Sequence, residues 1–190
     1  MNPRAASFVT AISCFVFLTS CNDRKLLYKP PAPVEPTCPE LKEKDDVFPY
    51  LVKVVEERNY ECFTRIIDDD FFFKFGVDDV GDDIPEGWGR EEELKSAKNM
   101  FSGYPHPVYG AVTNISLWLT PEGPWIEVPK TEPPYEGETW YQRTVEYTFI
   151  ALTSNDWTLQ CLELRALFYI RYAEVDGDSI WRIVEWRDNI

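Results

Sequence analysis

The stretch from Asn59 to Phe75 changes its period part-way, and that change limits what the chain can become. Tyr60, Phe63, Ile66 and Ile67 recur at helical spacing behind Asn59, which stands where an N-cap belongs. Asp68, Asp69 and Asp70 then interrupt the pattern. Phe71, Phe73 and Phe75 follow, all on one side of an extended segment. The spacing predicts a short helix, an acidic turn and an aromatic strand. An aromatic strand needs cover on at least one face, so other segments must build a sheet beside it.

Those segments are present. Ahead of the stretch, Val47, Leu51, Val54 and Val55 make the apolar face of a helix that Asp46 caps, with Pro49 in the first turn where its missing N–H costs nothing. Arg90–Phe101 reads as a third helix: Glu91, Glu92 and Glu93 fall in its first turn, where the helix dipole favours anions, and Leu94, Ala97 and Phe101 make its buried stripe. Strands follow. Ala111 to Leu119 alternates, and Pro121 to Glu138 reads as a long connection with at most a short strand at Trp125 to Val128. In the next strand Tyr141, Val145, Tyr147, Phe149 and Ala151 share a face. Leu159 to Val175 is the longest strand pattern, with Leu162, Leu164, Ala166, Phe168, Ile170 and Tyr172 on one side. Leu159 and Cys161 are out of phase with that set, which predicts a bulge near Cys161 or Leu162. Asp176-Gly177 signals a hairpin, and Ile180 to Asp188 closes the chain as a strand. Helices first and strands later indicate α+β, with the N-terminal helices packed on a curved antiparallel sheet.

The N-terminal part is built differently. Arg4 precedes an uncharged apolar run from Ala5 to Leu18, too short for a membrane span and of signal-peptide length. The run closes on Leu18-Thr19-Ser20-Cys21, which resembles the bacterial lipoprotein signal, where the cysteine takes acyl chains such as palmitate after cleavage. From Asn22 to Asp45 prolines cluster at 30, 31, 33, 36 and 39, a composition that favours extended backbone and cannot build a core. The expected division is therefore a lipoprotein signal peptide at 1–20, a Pro-rich tether at 21–45 and a folded domain at 46–190.

Hydrophobic residues at 44% and aromatics at 15% are ample for a core in one domain of this length. The formal net charge of −14 argues against nucleic acid, whose binding draws on clustered Lys and Arg. Removing residues 1–20 takes away only Arg4 among the charged residues, so the mature chain carries −15. The cysteines at 14, 21, 38, 62 and 161 show no metal-site or Cys-x-x-Cys spacing, and His106, the single histidine, lies between two prolines with no carboxylate beside it in sequence. No metal and no cofactor is expected. The acidic loop between Val77 and Gly89 does not have the spacing of the helix-loop-helix calcium motif. Cys38 could pair with Cys62 or with Cys161 in an oxidising compartment, but both lie in apolar-patterned segments where a buried thiol is an ordinary core residue, and the sequence favours no disulfide.

The order of elements, the passage Tyr60 to Phe75, the entry Trp88-Gly89-Arg90-Glu91-Glu92-Glu93-Leu94 and the ending Trp181 to Asp188 resemble the nuclear transport factor 2-like superfamily, which includes ketosteroid isomerases and polyketide cyclases. The resemblance covers about residues 46 to 190 and extends to bacterial lipoproteins that carry such a domain behind a lipidated cysteine. It implies a cone-shaped roll with a cavity between sheet and helices. Catalytic members use a buried Asp with Tyr or Asp donors, or an Asp–His pair, inside that cavity. With only His106, the Asp–His form is disfavoured. Asp70, Tyr141, Tyr147, Tyr169 and Asp188 lie on or near pocket-forming elements and are the candidates for an Asp/Tyr arrangement, although Tyr on strand faces ordinarily packs and Asp at element ends ordinarily caps. No catalytic constellation has a defined spacing. The favoured reading is a non-catalytic binding domain tethered to the bacterial cell envelope, with a small apolar ligand, another envelope protein or a second copy of the chain as partner. The alternative is a cavity enzyme of the isomerase or cyclase type.

Lipidation at Cys21 is expected. Mass spectrometry of the mature N-terminus from a bacterial host should find an acylated Cys21, and an unmodified N-terminus at another residue would refute it.

Overall fold

Asn59 caps as its position predicts: its Oδ1 accepts from the Cys62 N–H at 3.1 Å and opens α2 (Tyr60–Ile66). The computed structural model describes residues 38–76, 80, 85–175 and 177–188, all within the unit Pro36–Ile190. The signal peptide, Cys21, most of the tether and most of the acidic loop lie outside the described residues.

The helix α2 passes without a turn into β1 (Ile67–Lys74). The aspartates expected to turn the chain are part of the strand. Their carboxylates meet arginines from two other strands, so an acidic triplet that would break an isolated strand is stabilised in this one.

Before α2 lies α1 (Val47–Glu56). It buries Val47, Leu51 and Val54 almost completely, and the Tyr50 hydroxyl donates to the Cys62 carbonyl at 2.9 Å, tying α1 to α2. Burial pushes the Tyr50 hydroxyl up to about 12, against the opposing effect of Arg65. After a short β2 (Gly87–Gly89), α3 runs Arg90–Phe101, as its charge pattern predicts. Four long strands complete the sheet: β3 (Val112–Pro129), β4 (Thr139–Thr153), β5 (Thr158–Val175) and β6 (Asp178–Asp188). The order is β2-β1-β6-β5-β4-β3. Every pairing is antiparallel except β1 with β6, which is parallel. The core lies between the helices and one face of this sheet, where Val145, Ala166, Phe168, Ile170 and Ile183 have no measurable exposure. Burying a side chain of this size stabilises by roughly 1.5–3 kcal/mol.

Three features depart from the expectations. The first half of the Pro-rich segment 121–138 is strand: β3 continues through Pro121 and Pro124 to Pro129, and only 130–138 is the connection. The reason is its place at the edge of the sheet, where a residue without an N–H leaves no ladder bond unmade, together with an irregularity between Glu122 and Ile126. Second, Leu162 and Tyr172 are about half exposed despite their phase with Phe168. Pairing with β4 shifts between Tyr147 and Phe149, opposite Leu164 and Cys161, and Glu163 adopts a left-handed backbone there. This is the bulge the phase break indicated.

The third departure is a disulfide between Cys38 and Cys62. Cys38 is brought to α2 because the residues behind it pack. Leu41 is buried in the core, its carbonyl accepts from the Trp181 N–H at 3.2 Å, and the Lys42 carbonyl accepts from the Trp181 indole at 3.0 Å. Residues 38–45, read from composition as the end of the tether, thus belong to the packed body. Closing a loop with a sequence separation of 24 removes about 3.5 kcal/mol of chain entropy from the unfolded state. The double variant Cys38→Ser/Cys62→Ser should fold with its melting temperature lowered by roughly 10 °C. An unchanged melt relative to the oxidised protein would refute the bond's contribution.

Candidate functional site

Parallel pairing sets Phe73 of β1 beside Trp186 of β6, and antiparallel pairing sets Phe168 of β5 on the other side of Trp186. The register places all three on the helix-covered face. The Trp186 ring centre is 4.5 Å from that of Phe168, 5.5 Å from Phe73 and 5.7 Å from Tyr147, the last edge-to-face. Phe75 and Trp88 extend the cluster, at 5.2 Å from Phe73 and 5.1 Å from Phe75 respectively. Gly87 permits this close approach, since a Cβ there would collide with the Phe73 carbonyl oxygen.

Polar groups edge the cluster. Tyr147, almost fully buried, donates its hydroxyl to Asp188 Oδ1 at 2.5 Å. The Trp88 indole donates to Glu93 Oε2 at 2.9 Å. Burial raises the Glu93 carboxyl above the ordinary carboxylate range, and the Trp88 hydrogen bond works against it. The Trp186 Nε1 is buried and meets no acceptor among the described residues.

Tyr141 shares the inner face but lies towards its other end. Its ring packs edge-on to Trp181 at 5.5 Å, and the Lys44 ammonium sits 3.7 Å from its centre. Nearby, Asp45, Phe48, Val52, Leu119 and Arg143 line a groove of about 340 Å³, with Asp45 and Arg143 paired at 2.9 Å.

Asp70 and Tyr169 belong to the opposite face of the sheet. There Arg171 of β5 is central. Its Nη2 donates to Asp68 Oδ1 at 2.7 Å and Asp70 Oδ2 at 2.8 Å, its Nε to Asp68 Oδ2 at 3.1 Å and its Nη1 to Glu138 at 3.0 Å. Burial pulls the guanidinium down, but the hydrogen bonds and charge of Asp68, together with the hydrogen bonds to Glu138 and Asp70, outweigh this and hold it above its ordinary range. Arg182 of β6, itself buried, takes Asp69 at 3.1 Å and the Ile67 carbonyl at 2.5 Å. Tyr169 packs with Trp140 and Val184, and the Arg187 guanidinium lies 4.7 Å from its ring centre. Burial raises the Tyr169 hydroxyl, with Arg187 opposing.

The five candidates therefore do not converge. Tyr147 and Asp188 meet, Tyr141 lies elsewhere on their face, and Asp70 and Tyr169 are behind the sheet. Sequence reasoning missed Asp68, Arg171, Arg182 and Glu138. A signal existed: Arg171 and Arg182 are cations inside apolar strands, and the acidic triplet is the complementary charge. His106 stands in an exposed loop, where its Nδ1 accepts from the Val108 N–H at 3.2 Å.

No protein-family model matches the chain, and no curated protein matches it in sequence. Solved structures do. A conserved protein of Planctomyces limnophilus superposes with a TM-score of 0.52 at 12% identity, over 75% of this chain and 89% of its own. A provisionally assigned aromatic ring hydroxylase of Novosphingobium aromaticivorans gives 0.51 at 12%, over 77% and 85%. An NTF2-like protein of unknown function in nutrient uptake, from Rhodospirillum rubrum, gives 0.48 at 11%, over 78% and 98%. The chain has the cone-shaped α+β fold of nuclear transport factor 2-like proteins. Proteins with this fold that resemble it include enzymes and proteins with no stated activity, and at these identities the likeness is one of fold alone.

The outer-face network makes acid stability predictable in sign. The hydrogen bond from Arg182 holds the Asp69 carboxyl below its ordinary value, with burial opposing. A carboxyl depressed in the folded state stabilises fully above its unfolded value and loses that contribution as pH falls through the folded one. The melting temperature should fall between about pH 5 and about pH 2, and Asp69→Asn should flatten that fall. An identical acid profile for Asp69→Asn would refute the assignment.

Proposed function

We propose that the protein is a lipid-anchored envelope protein, held through Cys21, whose cone-shaped domain binds a small apolar ligand or another envelope protein without catalysing a reaction. The observation that carries the non-catalytic reading is the filling of the cone. Trp186 packs among Phe168, Phe73 and Tyr147, so rings occupy the inner face beside the Tyr147–Asp188 pair, and the groove of about 340 Å³ lies further along that face, at Asp45 and Arg143. The candidate carboxylates are also committed: Asp70 to Arg171, and Asp188 to Tyr147. Anchoring is supported by the Leu18-Thr19-Ser20-Cys21 close of the apolar run and by the Pro-rich spacer behind it. Acyl chains hold a protein to a bilayer by about 0.8 kcal/mol per buried methylene.

A second reading has one observation in its favour. The Tyr147–Asp188 hydrogen bond beside a buried indole N–H is the kind of Tyr/Asp pairing that acid–base isomerisation uses. The two readings part on the variants Asp188→Asn and Tyr147→Phe. A thermal-shift screen of apolar ligands, followed by product analysis by mass spectrometry, should find binding that both variants retain within roughly threefold and no chemical conversion. Turnover of a bound compound that Asp188→Asn abolishes, with the fold intact, would overturn the non-catalytic reading.

A further inference from the structure

Both guanidiniums at the centre of the outer face are fully met. Arg171 gives Nε, Nη1 and Nη2 to Asp68, Glu138 and Asp70, and Arg182 gives its three nitrogens to Asp69 and to the Arg65 and Ile67 carbonyls. Arg143, on the inner face, is not. Its side chain is 18% exposed against 15% for Arg171, yet only Nη1 donates, to Asp45 Oδ1 at 2.9 Å. Its Nε is buried and meets no acceptor among the described residues, and Nη2 makes no hydrogen bond to them either. A buried donor left unmade costs free energy, so an arginine kept half open in a sheet that completes two others is a feature to be explained.

The local structure shows how the charge is held. Arg143 follows Tyr141 and precedes Val145 on the inner side of β4, in register with the fully buried Phe168 of β5. On its other side β3 is irregular between Glu122 and Ile126, opposite Thr144 and Gln142. Such an irregularity re-aims side chains, and Trp125 within it stacks on Phe48 at 5.2 Å, with the Arg143 guanidinium 5.6 Å from its ring centre. The Trp125 indole donates to the same Asp45 oxygen at 3.0 Å. One exposed carboxylate thus fixes Nη1 and the indole together at the wall of the groove. The remaining wall is hydrocarbon: Phe48, Pro49 and Val52 from α1, and Leu119 and Pro121 from β3. Its volume of about 340 Å³ lies at the lower end of the range of about 300–1,000 Å³ that small-molecule sites occupy.

We infer that this groove takes a small apolar monocarboxylate, its tail among Phe48, Val52 and Leu119 and its carboxylate bridging Nε and Nη2 of Arg143. This names the ligand class for the apolar-ligand binding proposed above, and rests on it. Three features select the class. The Nε–Nη2 edge of a guanidinium matches a planar carboxylate with two parallel hydrogen bonds. The hydrocarbon wall favours a ligand that is apolar beyond its head. Asp45 already meets Arg143 from one side, so the site balances a single negative charge better than the two of a phosphate. A bound carboxylate completes Arg143 as Asp68 and Asp70 complete Arg171.

Octanoate and its neutral counterpart 1-octanol separate the charge from the tail. Isothermal titration calorimetry is run on the full chain carrying Cys21→Ser, which takes no acyl group of its own. Octanoate should bind roughly tenfold or more tightly than octanol. Arg143→Met should abolish that preference, and Arg143→Lys, which keeps the charge without the fork, should lose most of it. Val52→Trp, at a half-buried position of the groove, should weaken both compounds by roughly tenfold while circular dichroism stays native. Equal binding of the two compounds by the parent chain, a result that needs no variant to fold, overturns the carboxylate site and leaves the apolar-ligand reading standing. Octanoate binding that survives Arg143→Met or Val52→Trp overturns the site, as does a parent chain that binds no octanoate. Octanoate that binds and is recovered chemically altered supports the site and overturns the non-catalytic reading instead.

Discussion

Asp68 carries its carboxylate with no measurable exposure, and Arg171, 103 residues away in sequence, meets both of its oxygens. The rest of the architecture turns on this contact. β1 is the strand that joins the helical half of the domain to the meander, and it enters the sheet parallel to β6. An acidic triplet at its start would oppose that entry unless each charge were met. Arg171 takes Asp68 and Asp70 on the outer face, and Arg182 takes Asp69 and holds the Ile67 carbonyl where the helix gives way to the strand. Removing one partner of a buried ion pair generally costs about 3–5 kcal/mol, because the other charge is left buried and unpaired. The pair is thus better understood as setting the register of β1 than as adding net stability. With β1 in register, Phe73 lies beside Trp186 and the inner aromatic cluster can form.

How much of this was legible depended on how far each determinant reaches along the chain. Local chemistry was readable. Asn59 capped α2, the Glu91–Glu93 run opened α3, and the phase break at Leu159 and Cys161 located the bulge of β5. Determinants with distant partners were not. The aspartates read as a turn because their arginines lie in strands formed a hundred residues later. The prolines of β3 read as a connection because nothing local says that the strand is an edge. Cys38 read as part of a spacer because its pairing depends on Leu41 finding the core. The candidate site followed the same rule. Tyr169 is out of phase with Phe168 and Ile170, and it falls behind the sheet as that phase requires. Tyr147 and Asp188 meet through the registers of three strands, which alternation within any single strand does not reveal.

The two faces of the sheet carry opposite kinds of chemistry. Inside, aromatic rings fill the cone and a few polar groups edge it. Outside, a chain of guanidinium and carboxylate contacts extends from Asp69 to Glu138, capped by Tyr135 and Trp140. The outer layer is tied by ion pairs from strand to strand, and the inner layer by ring contacts around Trp186, whose buried Nε1 meets no acceptor among the described residues. A site held in place by its own packing binds without a large ordering cost.

The cystine between Cys38 and Cys62 also fixes how the domain responds to mechanical load. A pull on the chain ahead of residue 38 does not first peel Leu41 from the core, because the force crosses the sulfur bridge and enters α2 inside its capped first turn. From there it spreads through the Tyr50–Cys62 hydrogen bond into α1 and along β1 into the sheet. Under reducing conditions the same pull would act on residues 38–45 alone and strip them in sequence, as a zipper opens. Oxidation thus converts a peeling geometry into a shearing one, and the domain withstands more force without any change in its equilibrium contacts.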